Sequence, residues 1–363
     1  MAITKDDVLA LLSREIQEMG MAADAAVLGG DVIVTLAATS SSREALGSKV
    51  REVLKKLDGV KNVEVRWTGE VAGREVPKDD PLPEVKNVVL VMSGKGGVGK
   101  STCATNLTLA LHRAGYRVGL LDADIYGPSI PTMLGVSGRP VSLDGKTIEP
   151  LERFGIKLMS IGFLLEDSKA AVVWRGPMLH GALMQFLKDV HWGPLDFLLL
   201  DLPPGTGDIA LTLSQSLKLT GAVVVTTPQT VATDDVYKSV SMCEKVNIPV
   251  LGVVENMSFF IDSAGVRHEL FGKGGGQAIA DFAKAPLLGQ VPIDQSVREW
   301  GDKGTPVVQA APHSPIARSF IEIAERLTDV VDAKNTANEG GAGPIIDRSG
   351  GPGGRRRLPV TKG

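Results

Sequence analysis

Between an apolar stretch, Val88 to Met92, and an amphipathic one, the chain reads Gly94-Lys95-Gly96-Gly97-Val98-Gly99-Lys100-Ser101-Thr102. The run satisfies the pattern G-x-x-x-x-G-K-[ST], in which glycines let backbone N–H groups wrap a polyphosphate. Lys100 then neutralises the β and γ phosphates and Ser101 reaches Mg²⁺. Gly94, Gly96, Gly97, Val98, Gly99, Lys100, Ser101 and Thr102 are therefore the candidate nucleotide-binding residues. The cradle works only where a buried strand feeds directly into a helix N-terminus, so this run commits its surroundings to a strand–loop–helix unit.

The rest of the chain extends that commitment. Short apolar strands are expected at Val88 to Met92, Val118 to Leu121, Phe197 to Leu200, Ala222 to Thr226, Val250 to Val254 and Leu287 to Val291, alternating with helical stretches. Such alternation predicts an α/β fold with a doubly wound, mostly parallel sheet covered by helices on both faces. A hairpin around Asp144-Gly145 (Val141 to Ile148), a strand near Ile156 to Ile161 and a last helix over Pro315 to Val331 complete it.

Ahead of this unit, apolar stripes over residues 4 to 20 and from Leu46 to Leu57 alternate with strands at Asp31 to Ala37 and Val60 to Trp67. Ser41 and Glu44 read as a capping box for the second helix. Residues 1–68 thus read as a small αβαβ domain and 69–86, with Pro77, Pro81 and Pro83, as a linker. Residues 87–333 form the main domain. The stretch 334–363 is rich in Gly and Pro, carries six basic against two acidic side chains, and reads as a disordered basic tail.

At 363 residues, with 43% hydrophobic residues, the chain can bury a full core and a second small one. Its net charge of -3 gives no general attraction to nucleic acid or anionic lipid. No apolar run approaches the roughly 18 residues of a membrane span. Two cysteines, Cys103 and Cys243, argue against a disulfide framework and fit a cytoplasmic protein.

Two strand ends carry carboxylates where ligands bind in open α/β sheets. Leu195 to Asp201 is an apolar strand ending in Asp201, the candidate Mg²⁺ residue, followed by the turn Leu202-Pro203-Pro204-Gly205-Thr206-Gly207-Asp208. Leu121-Asp122-Ala123-Asp124 closes the strand after the phosphate loop. A carboxylate is a feeble base at neutral pH, so the expected work of Asp124 is to orient the attacking water while Asp122 supports the metal shell. The alternative is that one of the pair only caps the next turn. Lys95 is unusual, because a phosphate loop needs no lysine after its first glycine. It is either a solvated loop residue or a charge that crosses a two-fold dimer interface to the neighbouring nucleotide, as an arginine finger does. Lys95, Lys100 and Asp124 are the candidate catalytic set.

Taken together, GKGGVGKST, LLDADIYGPSIP, WRGPM, LDFLLLDLPPGTGD, TTPQ, and ENMSFF with FGKGGG resemble the Mrp/ApbC family of iron-sulfur cluster carrier ATPases. That family lies within the deviant P-loop class that includes MinD and the nitrogenase iron protein. The likeness spans about Asn87 to Arg326. The amino-terminal unit resembles a MIP18-type domain. The resemblance implies ATP and Mg²⁺ as ligands, hydrolysis to ADP and phosphate, a homodimer, and iron-sulfur scaffold or client proteins as partners. It also implies that Asn256 recognises the adenine amide edge; capping of the strand-to-loop turn is the other reading of that residue.

One element departs from the family. Carriers place Cys-x-x-Cys shortly after Asn-Met-Ser, so that a dimer offers four thiolates to one [4Fe-4S] cluster. Here Asp262 and Gly265 stand at those places. Cys103 and Cys243 read as small core residues, which puts autonomous cluster binding in doubt. Asp262 and His268 read as solvated loop residues, since the five histidines show no metal-ligand spacing. Two functions follow: an ATPase of cluster assembly or transfer, or a thiol-less regulator or adaptor switched by ATP, for which DNA binding through the basic tail is only weakly signalled.

Overall fold

The computed structural model describes residues 4–16, 23–28, 30–36, 40–67, 71–125, 127–142, 144–164, 176–205 and 207–340. The amino-terminal unit runs α1 (Lys5–Ile16), β1 (Ala23–Leu28), β2 (Asp31–Leu36), α2 (Ser40–Leu54) and β3 (Asn62–Trp67). Its sheet has the order β1-β2-β3, antiparallel and then parallel. The order αββαβ corrects the expected αβαβ. Ala-Asp-Ala-Ala-Val-Leu has little intrinsic strand preference, and β1 forms because β2 pairs with it along its whole length. Val8, Leu12, Val32, Val34, Leu46, Val50 and Leu54 make a separate core, so among the described residues each helix turns apolar positions of its stripe inward. α2 begins at Ser40, so Ser41 falls inside the helix rather than at its cap.

The main domain continues with β4 (Val88–Met92), α3 (Lys100–Arg113), β5 (Val118–Asp122), α4 (Ile130–Met133), β6 (Leu151–Arg153), β7 (Ile156–Ser160), α5 (Gly176–Lys188), β8 (Phe197–Asp201) and α6 (Gly207–Ser216). β9 (Gly221–Thr226), α7 (Thr230–Lys245), β10 (Val250–Glu255), β11 (Phe260–Ile261), β12 (Arg267–His268) and α8 (Gly275–Ala283) follow. The domain ends with β13 (Leu287–Gln290), α9 (Gln295–Asp302), α10 (Val307–Ala310) and α11 (Pro315–Gly340). Eight strands form one sheet in the order β13-β10-β9-β4-β8-β5-β7-β6, parallel except for the β6–β7 edge. β4, β5, β8 and β9 are buried at every position, as continuous apolar runs covered on both faces must be.

Three expectations change at the edges. β6 is a three-residue strand too short to show a pattern. Around Asp144 one antiparallel bridge forms among the described residues, Val141 to Glu149, with the Asp144 carboxylate holding the Lys146 and Thr147 N–H groups. α11 runs to Gly340, well into the stretch expected to be disordered. Its extension is anchored by buried Asn335, whose amide donates to the Ala72 carbonyl (2.7 Å) and to Asn87 Oδ1 (2.8 Å). The tail from residue 341, Tyr126, and the Trp174-Arg175 pair lie outside the described residues.

The segment read as a linker is packed onto the main domain. Val71, Leu82 and Val85 join its core, and Val85 bridges Leu195 in parallel. Arg74 forms a two-pronged ion pair with Asp80 at 2.5 and 2.9 Å, with both side chains almost wholly buried. The amino-terminal unit reaches the main domain through Glu64, 2.7 Å from Arg113, and Arg51, 3.8 Å from Glu325.

Candidate functional site

The phosphate loop joins β4 to α3 at the carboxyl edge of the sheet, next to the point where the order turns from β4 toward β9 and β8. Gly97 (φ 82°) and Gly99 (φ 80°) take the left-handed backbone that side chains resist. Gly94 answers a different need: a Cβ there would lie 2.3 Å from the Val236 nitrogen of α7. Gly99 caps α3 without a side-chain cap, so the helix presents its own N–H groups and positive end to an anion.

Strand register assembles the charged residues. β5 pairs with β8 so that Asp122 lies beside Asp201, and with β7 so that Asp122 lies beside Ser160. Lys100, from the first turn of α3, lays its buried amine 2.7 Å from Asp201 Oδ1 and 3.5 Å from Asp124 Oδ2. Ser101 Oγ donates to Asp201 Oδ2 at 2.5 Å and lies 3.2 Å from the Lys100 amine. Burial raises the Asp201 carboxyl above its ordinary range, against the opposing pull of Lys100 and Ser101.

Asp122 is fully shielded. Its Oδ1 accepts from the Asp124 N–H (3.1 Å) and its Oδ2 from Ser160 Oγ (3.0 Å). Burial, reinforced by the Asp201 charge, pushes its pKa up to about 8. Asp122 therefore holds the Asp124 backbone in place. Ser160 was missed in the sequence, although its place at the end of a strand parallel to β5 is the signal that exposes it.

The turn after Asp201 lies along the phosphate loop: Leu202 N–H donates to the Val91 carbonyl and Gly205 N–H to that of Ser93. Lys95 is exposed on the loop, and Ser93 Oγ bonds its carbonyl at 3.0 Å. Thr102 sits in the first turn of α3, where its carbonyl accepts from the Asn106 amide. Asn256 is brought to the loop from the end of β10; its amide donates to the Val98 carbonyl at 2.8 Å. A Cβ on Gly99 would strike that amide at 2.2 Å, so glycine is required twice over at position 99.

This constellation fits ATP and Mg²⁺. Left-handed glycines, an uncapped helix start and a buried amine form a polyphosphate cradle, while the Ser101 hydroxyl at the start of α3 and the Asp201 carboxylate at the end of β8 are the donors Mg²⁺ takes alongside phosphates and water. An iron-sulfur cluster finds no such fit in the chain's own thiols. Cys103 and Cys243 are wholly buried on different helices, and burial pushes their pKa values up to about 12 and about 11. Asp262 instead closes a tight β11–β12 hairpin, accepting from the Ala264 and Val266 N–H groups and standing 2.7 Å from His268 Nε2. The His268 hydrogen bond, then that of Val266, holds the Asp262 carboxyl below its ordinary range. Among the described residues no group of three His, Cys, Asp or Glu side chains is set to cage a metal.

Fold and site together define a P-loop NTPase of the MinD/ParA class. The MinD protein of Pyrococcus horikoshii, solved with Mg-ADP, superposes with a TM-score of 0.52 at 25% identity, covering 68% of this chain and 98% of its own. A nucleotide-binding protein from Archaeoglobus fulgidus in complex with ADP superposes with a TM-score of 0.57 at 38% identity, over 68% of this chain and 98% of its own. Within the class, the chain belongs to the family of NUBPL iron-transfer P-loop NTPases, whose family model matches residues 84–328. Relatives named iron-sulfur cluster carrier protein include one from Synechocystis, 45% identical over 88% of this chain and 93% of its own length. Another, from Aquifex aeolicus, is 54% identical over 70% of each. Among the described residues no helix is long and apolar enough to cross a membrane.

Proposed function

We propose that this chain hydrolyses ATP slowly as one half of a homodimer and uses the cycle to assist iron-sulfur cluster assembly or transfer to client proteins. The observation that carries it is the convergence of Lys100, Ser101, Asp124 and Asp201 on one buried point at the mouth of the phosphate loop. Relatives that carry clusters by name support the choice of cargo.

Lys100 holds the terminal phosphates, and the N–H groups from Gly96 to Thr102 wrap the chain of phosphates behind them. Ser101 and Asp201 would hold Mg²⁺, which when bound neutralises charge on the phosphates. Asp124 orients the attacking water, its backbone set by Asp122, and Asn256 reads the adenine edge. The exposed Lys95 of one protomer reaches the nucleotide of the other, so hydrolysis awaits dimer closure.

Steady phosphate release from Mg-ATP, lost in Lys100→Ala, and a doubling of mass with a nonhydrolysable ATP analogue are the expected results. Tight binding of ATP by a permanent monomer that releases no phosphate overturns the proposal. The buried cysteines favour one further reading, a family member that switches partners without carrying a cluster itself.

A further inference from the structure

Glu255 ends β10, one residue before Asn256, and its side chain is wholly shielded from solvent. A buried carboxylate must be matched by donors. This one draws them from three separate elements. Oε1 accepts from Gln290 Nε2 at the end of β13 (2.7 Å) and, closer still, from the Ser258 hydroxyl; Oε2 accepts from the Gly276 N–H at 2.6 Å. That N–H belongs to the first turn of α8, whose positive end favours the negative charge. Only glycine allows the approach, because a Cβ on Gly276 would fall 2.6 Å from Glu255 Cβ. Gly275 is pressed equally hard, 2.7 Å from the Pro228 carbonyl oxygen. Both glycines thus serve close packing at the start of α8, Gly276 against the acid itself and Gly275 against Pro228.

The short turn that Glu255 braces has a functional region on each side. Toward the nucleotide, Asn256 bonds the Val98 carbonyl of the phosphate loop. Away from it, Ser258 N–H donates to the Val291 carbonyl, Ile293 N–H donates to that of Phe259, and Phe260 bridges Ile293 as the β11–β12 hairpin begins. Between them Met257 adopts φ 53°, a left-handed backbone that a side chain enters only when its neighbours impose it. The hairpin and the residues after it expose Ile261 (51%), Val266 (52%) and Leu270 (60%) beside the exposed Arg267, His268 and Glu269.

The geometry points to Glu255 as a positioning residue that couples the phosphate loop to the β11–β12 hairpin through the turn of residues 255–258. With its carboxylate shared among Ser258, Gln290 and the start of α8, the turn moves as one piece, and a shift of Asn256 against the loop is passed to Phe259 and the hairpin. Without the shared acceptor, Ser258 and the α8 N–H are released and the same shift dissipates locally. The coupling is reciprocal: whatever binds the hairpin changes affinity at the phosphate loop by the same factor. The inference rests on the nucleotide reading of that loop.

Hydrogen exchange of the full-length protein, read on peptides covering residues 259–271 with and without Mg-ADP, tests it. In the unaltered protein the nucleotide is expected to change hairpin exchange by about fivefold or more, the lower end of ordinary coupling between sites. Glu255→Gln should bind Mg-ADP as the parent does yet lose most of that response, and Ser258→Ala should retain an intermediate one. A purely structural role would lower the melting temperature and leave the response intact, which overturns the inference. So does an unaltered protein that binds Mg-ADP with no change at the hairpin. Failure to bind Mg-ADP at all is read separately in the binding isotherm and removes the nucleotide site and the coupling together. Should Glu255→Gln not fold, Ser258→Ala and Gln290→Ala carry the same comparison, and undiminished responses in both overturn it.

Discussion

Lys100 Nζ lies 2.7 Å from Asp201 Oδ1, and neither side chain is more than 6% exposed. The lysine proposed to hold the phosphates and the aspartate proposed to hold Mg²⁺ therefore neutralise one another inside the protein. Removing one partner of such a pair leaves an uncompensated buried charge, at a cost of about 3–5 kcal/mol, whereas removing both is often close to neutral. Lys100→Met is accordingly expected to lose nucleotide binding and to unfold at markedly lower denaturant. Lys100→Met with Asp201→Asn should recover most of the stability and none of the binding. Urea titration and calorimetric binding measure the two effects apart; equal stability in the single and double variants would contradict the pairing.

Lys95 is expected to separate binding from turnover. It is exposed, while Lys100 is buried against two aspartates. Lys95→Ala should keep ATP affinity within about threefold and lower kcat by about 10³-fold, the smaller end of what a charge supplied across an interface contributes. Mixing Lys95→Ala with a subunit defective in Asp124 should restore part of the activity, because one intact composite site forms in the mixed dimer. Parallel loss of binding in Lys95→Ala and Lys100→Ala refutes the interface role.

The sheet and the phosphate site were legible because both are written locally. A buried parallel strand is a continuous apolar run, and Val88 to Met92 or Phe197 to Asp201 shows it without help from neighbours. The phosphate loop is contiguous, and its carboxylates lie at strand ends by rule. What the sequence hid depends on partners distant along the chain. β1 needs β2, the end of α11 needs Ala72 and Asn87, and Ser160 acquires its role only when β7 lies beside β5. Glu255 carries no local signal, since nothing near it in the sequence announces that Gly276 and Gln290 will converge on it.

The two thiols should behave as core atoms. Cys243 Sγ rests 3.5 Å from Met92 Sδ and Cys103 is buried on α3 itself, and burial pushes their pKa values up to about 11 and about 12. Since the thiolate is the nucleophile and the ligand, alkylation of the native protein at pH 8 should be negligible and should become complete in denaturant. Anaerobic incubation with iron and sulfide should accordingly give no charge-transfer band near about 400 nm from the chain alone. A strong band, retained after Cys103→Ser and Cys243→Ser, would place ligands elsewhere.

Acid should loosen the segment between the two domains through Asp80. Burial acts to raise its pKa, but the Arg74 guanidinium, the Leu82 N–H and the Arg74 charge together outweigh it and hold the carboxyl below its ordinary value of 3.8. A depressed folded-state pKa stabilises the protein above the unfolded value, and that contribution is lost as pH falls from 3.8 through the folded-state value. Asp80→Asn should therefore lower stability at pH 7 and flatten the fall in stability on the acid side. Arg74→Met should be worse at pH 7, because it leaves Asp80 charged and buried, and should regain ground as acid neutralises that carboxylate. Urea midpoints measured from pH 7 down to about 3 distinguish the two slopes, and parallel curves for the parent and both variants would show that the pair carries no linked proton.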